Sequence, residues 1–171
     1  MRLQHLFALA LLLFPWRISS APEQQIDEEN IPSEILLAVG LGPFAQSYDI
    51  DGSLNPFYLR GDFDGDGKAD YALRVKSKSH GEVGIAIWLS SRRNLVILGA
   101  GTPFKVSGET ATNLDFLNTW KVYAKGPVDQ GVGVGPPPKL IGEALLVGKR
   151  ESANGLIYWN GKSFLWYQQG D

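Results

Sequence analysis

Asn55-Pro56-Phe57-Tyr58-Leu59-Arg60-Gly61 leads into Asp62-Phe63-Asp64-Gly65-Asp66-Gly67-Lys68-Ala69-Asp70, and Tyr71-Ala72-Leu73-Arg74-Val75-Lys76 leads out. The four aspartates of the middle stretch stand at the first, third, fifth and ninth positions of one loop, with glycine where a tight turn is needed. Without a cation such a loop crowds like charges together. A hard divalent ion turns the same carboxylates into an oxygen ligand set, with the backbone carbonyl of Lys68 at the seventh position. The sequence therefore predicts bound Ca²⁺ held by Asp62, Asp64, Asp66, Asp70 and the Lys68 carbonyl. The competing reading is a solvated acidic turn, since Asp and Gly are ordinary turn formers. The spacing of all four carboxylates favours the ion.

The start of the loop matches a helix–loop–helix calcium site, but Leu73 stands where that motif needs its bidentate glutamate. The flanks are not helical either. Tyr71, Leu73 and Val75 alternate with Ala72, Arg74 and Lys76, the period of a strand. The expectation is a strand–loop–strand site, with strands over 56–60 and 70–76 and Asp70 supplying the last carboxylate.

Residues 61–72 resemble the calcium loop of FG-GAP/VCBS repeats. In that family the loop lies between strands of a β-propeller blade. The resemblance implies Asp62, Asp64, Asp66 and Asp70 as side-chain ligands and Lys68 as a carbonyl ligand. One such loop occurs in this chain.

The 171 residues accommodate one domain, or one domain and a tail. Residues 1–21 read as a signal peptide. Arg2 precedes the apolar run Leu6–Phe14, and Ser19-Ser20-Ala21 offers the small residues of a cleavage site. The run is short for a bilayer span, although an uncleaved anchor is the alternative. The expected location is the periplasm or the outside of the cell. With no cysteine, the exported domain must be stable without disulfides. The chain has 16 Lys and Arg against 18 Asp and Glu; Arg2 and Arg17 leave with the leader, which carries no acid. An acidic mature form argues against nucleic acid, whose binding rests on neutralising phosphates. No other apolar run is long enough to span a membrane.

Along the chain, residues 22–30 are acidic and polar and are expected to be a disordered lead, with the β domain filling 31–171. Pro32, Glu34 and the glycines at 40 and 42 frame a helix over 32–39, packing by Ile31, Ile35, Leu36 and Val39. Residues 49–55 form a second acidic turn, read as a plain turn or as an extra oxygen for the ion. Strands at 70–76, 82–90 and 95–98 make a meander. Thr112 and Asp115 suggest a capped helical turn carrying Leu114, Phe116 and Leu117. A strand follows at 120–123. Residues 126–138, with Pro136-Pro137-Pro138, form a long loop, either mobile or functional. Strands at 144–147, 155–159 and 163–167 complete the chain, the last two joined across Asn160-Gly161. Their aromatic residues are read as core, or alternatively as an exposed platform for a sugar or protein.

Outside the leader there is one histidine, His80, in a polar turn, and no cysteine. A Ser-His-Asp triad or a zinc site has little to build on. The expectation is a mainly β, antiparallel domain of about six to eight strands with one short N-terminal helix. Its expected role is that of a Ca²⁺-binding structural or protein/carbohydrate-binding module of the cell envelope, not an enzyme. The alternatives are a periplasmic inhibitor or immunity-type protein acting through 126–138, and a hydrolase in which calcium positions the substrate.

Overall fold

The computed structural model describes residues 26–40, 43–131 and 135–170; the expected leader over 1–21, and residues 22–25, lie outside that description. At the end of the acidic lead, Glu28–Asn30 form a 3-10 turn, where the sequence predicted no structure. The cause is local: Asp27 Oδ1 accepts from Glu29 N at 3.1 Å, and the Asp27 carbonyl from Asn30 N at 3.0 Å.

Among the described residues eleven strands and two short α-helices follow, and every strand pairing is antiparallel. The mainly β expectation holds. Helix α1, Ser33–Gly40, starts just after Pro32, and Ile35 and Val39 bury its inner face. A second helix, α2 over Pro43–Ser47, was not expected; Pro43 stands at its first position, where a missing N–H costs nothing.

The first sheet contains β1 (Tyr48–Ile50), β2 (Tyr58–Gly61), β3 (Asp70–Ser77), β4 (Val83–Leu89) and β5 (Asn94–Gly99). β3 to β5 form the expected meander, and β1 and β2 pair with successive halves of β3. A small hairpin, β6 (Phe104–Val106) and β7 (Glu109–Ala111), comes next. The second sheet is another meander of β8 (Thr119–Tyr123), β9 (Ala144–Gly148), β10 (Asn154–Trp159) and β11 (Phe164–Gly170). The strand count exceeds the expectation because three-residue strands such as β1, β6 and β7 have too few positions to reveal a period.

Alternation along β3 and β4 sends side chains into two cores. Ala72, Ile85, Ile87 and Leu89 meet Trp120, Leu145, Val147, Ile157 and Trp159 of the second sheet. Tyr71, Leu73, Val75 and Ala86 meet Ile31, Ile35, Val39 and Phe44 on the opposite face. The first sheet is thus covered on both sides, by the second sheet and by the helices. A fully buried Leu or Ile in such a position contributes about 1.5–3 kcal/mol.

The outer face of the second sheet is covered by chain from the long loop. Val128 and Leu140 pack on Leu156 and Tyr167, and Gly131 N donates to the Tyr167 hydroxyl at 3.0 Å. Trp159, Phe164 and Tyr167 are buried, so these aromatics of the last hairpin are core. Part of the Gly-Val-Gly-Val-Gly run, residues 132–134, lies outside the described residues. The helical turn expected at 112–117 is instead a reverse turn closed by Leu117 N and the Leu114 carbonyl at 3.1 Å. Its cap is Asn113, whose Oδ1 accepts from Asp115 N and Val83 N, while the Thr112 hydroxyl donates to Glu82.

Candidate metal centre

Gly61 and Asp70 are register partners at the ends of β2 and β3, so the acidic loop closes an antiparallel hairpin. The strand–loop–strand reading of its flanks is therefore correct. Within the loop, Asp62 Oδ1 accepts from the N–H groups of Gly65 at 2.8 Å and Asp66 at 3.0 Å, and Oδ2 accepts from Gly67 at 3.0 Å. These bonds wind the backbone around one carboxylate. Gly65 has φ of +80°, and a Cβ there would stand 2.4 Å from the Ile141 carbonyl oxygen. Only glycine satisfies both conditions.

Asp70 is fully buried. Its Oδ2 accepts from Phe63 N at 3.0 Å and Asp64 N at 3.4 Å, and its Oδ1 from Ser90 N at 2.9 Å. Burial, reinforced by the Asp64 charge, pushes its carboxyl up to about 6 despite these bonds. Asp64 is buried as well. Its Oδ2 pairs with Arg92 Nε at 2.9 Å, and the Arg92 guanidinium lies 5.2 Å from the centre of the Trp159 ring. Its Oδ1 is buried with no hydrogen-bond partner.

One carboxylate oxygen from each of Asp62, Asp64 and Asp70 lies within 4.8 Å of the others. Such a group of carboxylates could hold a cation, in a place where a buried negative charge is costly. The Asp66 carboxylate stands outside this close group. Asp66 and Lys68 are both exposed, and Asp66 Oδ1 accepts from Lys68 N at 2.8 Å. A hydrogen bond from the Ser91 side chain, with that from Lys68 N, holds the Asp66 carboxyl below its ordinary value.

The loop is fastened to the second sheet by a partner 81 residues away. Glu143 Oε2 accepts from Asp62 N at 2.8 Å, and Glu143 N donates to the Asp62 carbonyl at 2.7 Å. Gly142 allows this approach, because a Cβ there would stand 2.4 Å from the Asp62 carbonyl oxygen. Glu143, Ser90 and Arg92 carry no metal-site pattern in the sequence.

The other polar candidates have local roles. Asp51 of the second acidic turn pairs with the buried Arg74 at 2.8 Å, and it caps Ser53 N at 2.8 Å. It does not belong to the carboxylate group around Asp70. His80 is exposed, with Nδ1 2.7 Å from the Ser79 hydroxyl of the same turn. Among the described residues no helix is long and apolar enough to cross a membrane. Comparison with protein families, with curated proteins and with solved structures finds no match to this chain.

Proposed function

We propose that the chain is an exported, calcium-stabilised binding module of the cell envelope. In this reading the ion fastens the β2–β3 loop to the second sheet. Asp62, Asp64 and Asp70 are its inner carboxylates, and Asp66 with the Lys68 carbonyl completes the oxygen set. The observation that carries the reading is Asp64, whose buried Oδ1 has no donor and whose carboxylate has an oxygen within 4.8 Å of oxygens of Asp62 and Asp70. Removing such an oxygen from water costs about 1–3 kcal/mol or more, and an ion offsets that cost. Because Asp62 is bonded in both directions to Glu143, fixing Asp62 also fixes the approach to β9. The ion's role is then structural, and the domain's partner is a protein or a carbohydrate.

Calorimetric titration of the chelator-treated protein with Ca²⁺ tests this. One saturable site is expected, lost in Asp64→Asn and in Asp62→Asn. A flat titration for the wild type, with the protein folded, would remove the ion and leave an acidic turn.

A further inference from the structure

Beside the acidic loop, on the face of the first sheet that carries α1, the structure has a cleft of about 650 Å³. That volume suits a small ligand. Its lining is unusual for an acidic chain: Arg60, Lys68 and Arg93 supply three cations, against the single acid Glu34. All three are exposed, and none is within ion-pairing distance of a carboxylate among the described residues. Between them lie Tyr71 and the half-buried Trp88. The Tyr71 hydroxyl donates to Glu34 Oε2 at 2.7 Å and lies beside Arg60. At the rim Leu37 is 65% exposed.

We propose that this cleft binds a small hydroxylated carboxylate, the chemistry of an acidic sugar. The arginines and Lys68 take the carboxylate, with the planar guanidinium fork suited to its two oxygens. The Glu34–Tyr71 pair supplies an acceptor and a hydroxyl for ligand hydroxyl groups. Trp88 offers an aromatic surface to the less polar side of a ring. A cleft for a neutral apolar ligand would not gather three cations against one lining acid. A site for inorganic phosphate alone would not need the aromatic surface or the acid.

The inference does not depend on the calcium reading, since none of the three cations and neither aromatic is an ion ligand through its side chain. The test is titration of the whole domain with glucuronate, galactose and inorganic phosphate, followed by nuclear magnetic resonance shifts and tryptophan fluorescence. Each titration is run in excess Ca²⁺ and in EGTA. Glucuronate is expected to saturate with Kd of about 1 mM or tighter, well ahead of the other two. Arg60→Gln and Arg93→Gln should each weaken it about tenfold, the loss of one charge-assisted hydrogen bond. Lys121→Gln, on the exposed side of β8, should leave it unchanged. Trp88→Leu should remove the fluorescence response. Absence of saturable glucuronate binding in both media overturns the proposal. So does galactose or phosphate binding as tightly as glucuronate, or unchanged affinity in both arginine variants.

Discussion

Asp64 meets Arg92 with one carboxylate oxygen and leaves the other buried without a donor. Two opposing effects follow from substituting it. Asp64→Asn removes a negative charge from beside Asp70, which favours the ion-free fold, and it weakens an ion pair whose Arg92 side is half exposed. Half-exposed pairs contribute about 0–1 kcal/mol. Urea unfolding in EGTA should therefore put Asp64→Asn within about 1 kcal/mol of the wild type. The variant should gain nothing when Ca²⁺ is added. Gly65→Ala is different, because it meets both a left-handed backbone and the Ile141 carbonyl. It should cost about 2 kcal/mol or more in either medium, read by the same unfolding measurement. Arg74 is buried and paired with Asp51, and it also donates to the Leu117 carbonyl. Asp51→Asn leaves that guanidinium without its counter-ion and should cost about 2–3 kcal/mol at neutral pH.

The pH dependence at Asp51 has a defined sign. Burial raises its carboxyl, but hydrogen bonds from Ser53 and Arg74 and the Arg74 charge outweigh this and hold it below 3.8. The native state therefore binds fewer protons than the unfolded chain across that interval. The stability from this group is complete above 3.8 and is lost as pH falls through the lower folded value. The wild-type advantage over Asp51→Asn should accordingly shrink below pH 4.

At the level of elements, β3 carries most of the architecture, because its two faces belong to different cores. Alternation made β3 and β4 legible, and a short apolar run made β5 so; Ile85, Ile87 and Leu89 of β4 lie on one face. The helix stripe was legible from its spacing, and Ile35, with no exposed surface, is its deepest point. Ile35→Ala should cost about 2–4 kcal/mol in chemical denaturation, because α1 shares its core with β3. The turn at 112–117 was misread because Thr112 and Asp115 mimic a capping pair, while Asn113 does the capping. The β6–β7 hairpin was missed, although its signal was present. Ser107 and Gly108 both have positive φ, the turn that two-residue hairpins favour, and a Ser-Gly pair is weaker notice of it than Asn-Gly. The cover over the last hairpin was also beyond sequence reasoning. Gly131 N reaches the Tyr167 hydroxyl across 36 residues, and spacing along a chain does not report such contacts. Tyr167→Phe leaves that buried N–H without an acceptor and should cost about 1–2 kcal/mol by urea unfolding.

Across the whole molecule, the loop's position explains more than its composition does. The motif placed Asp62, Asp64 and Asp70 in one loop, and folding brings those three carboxylates within 4.8 Å. What no local pattern contained is Glu143, which ties Asp62 to the chain entering the second sheet. The cationic cleft was equally hidden, because Arg60, Arg93 and Glu34 converge only after α1 folds back on the first sheet. An ion at the loop would act on both sheets at once, through β2–β3 on one side and Glu143 on the other. If the site binds at about 0.1 mM and the surroundings hold about 1 mM Ca²⁺, linkage adds about 1.4 kcal/mol to the global stability.

That linkage is read by thermal melts of the domain in EGTA and in about 1 mM Ca²⁺, beside Asp64→Asn. A wild-type rise of about 4–6 °C on adding Ca²⁺, absent in the variant, is the expected result. Coincident wild-type melts in the two media would contradict the metal centre.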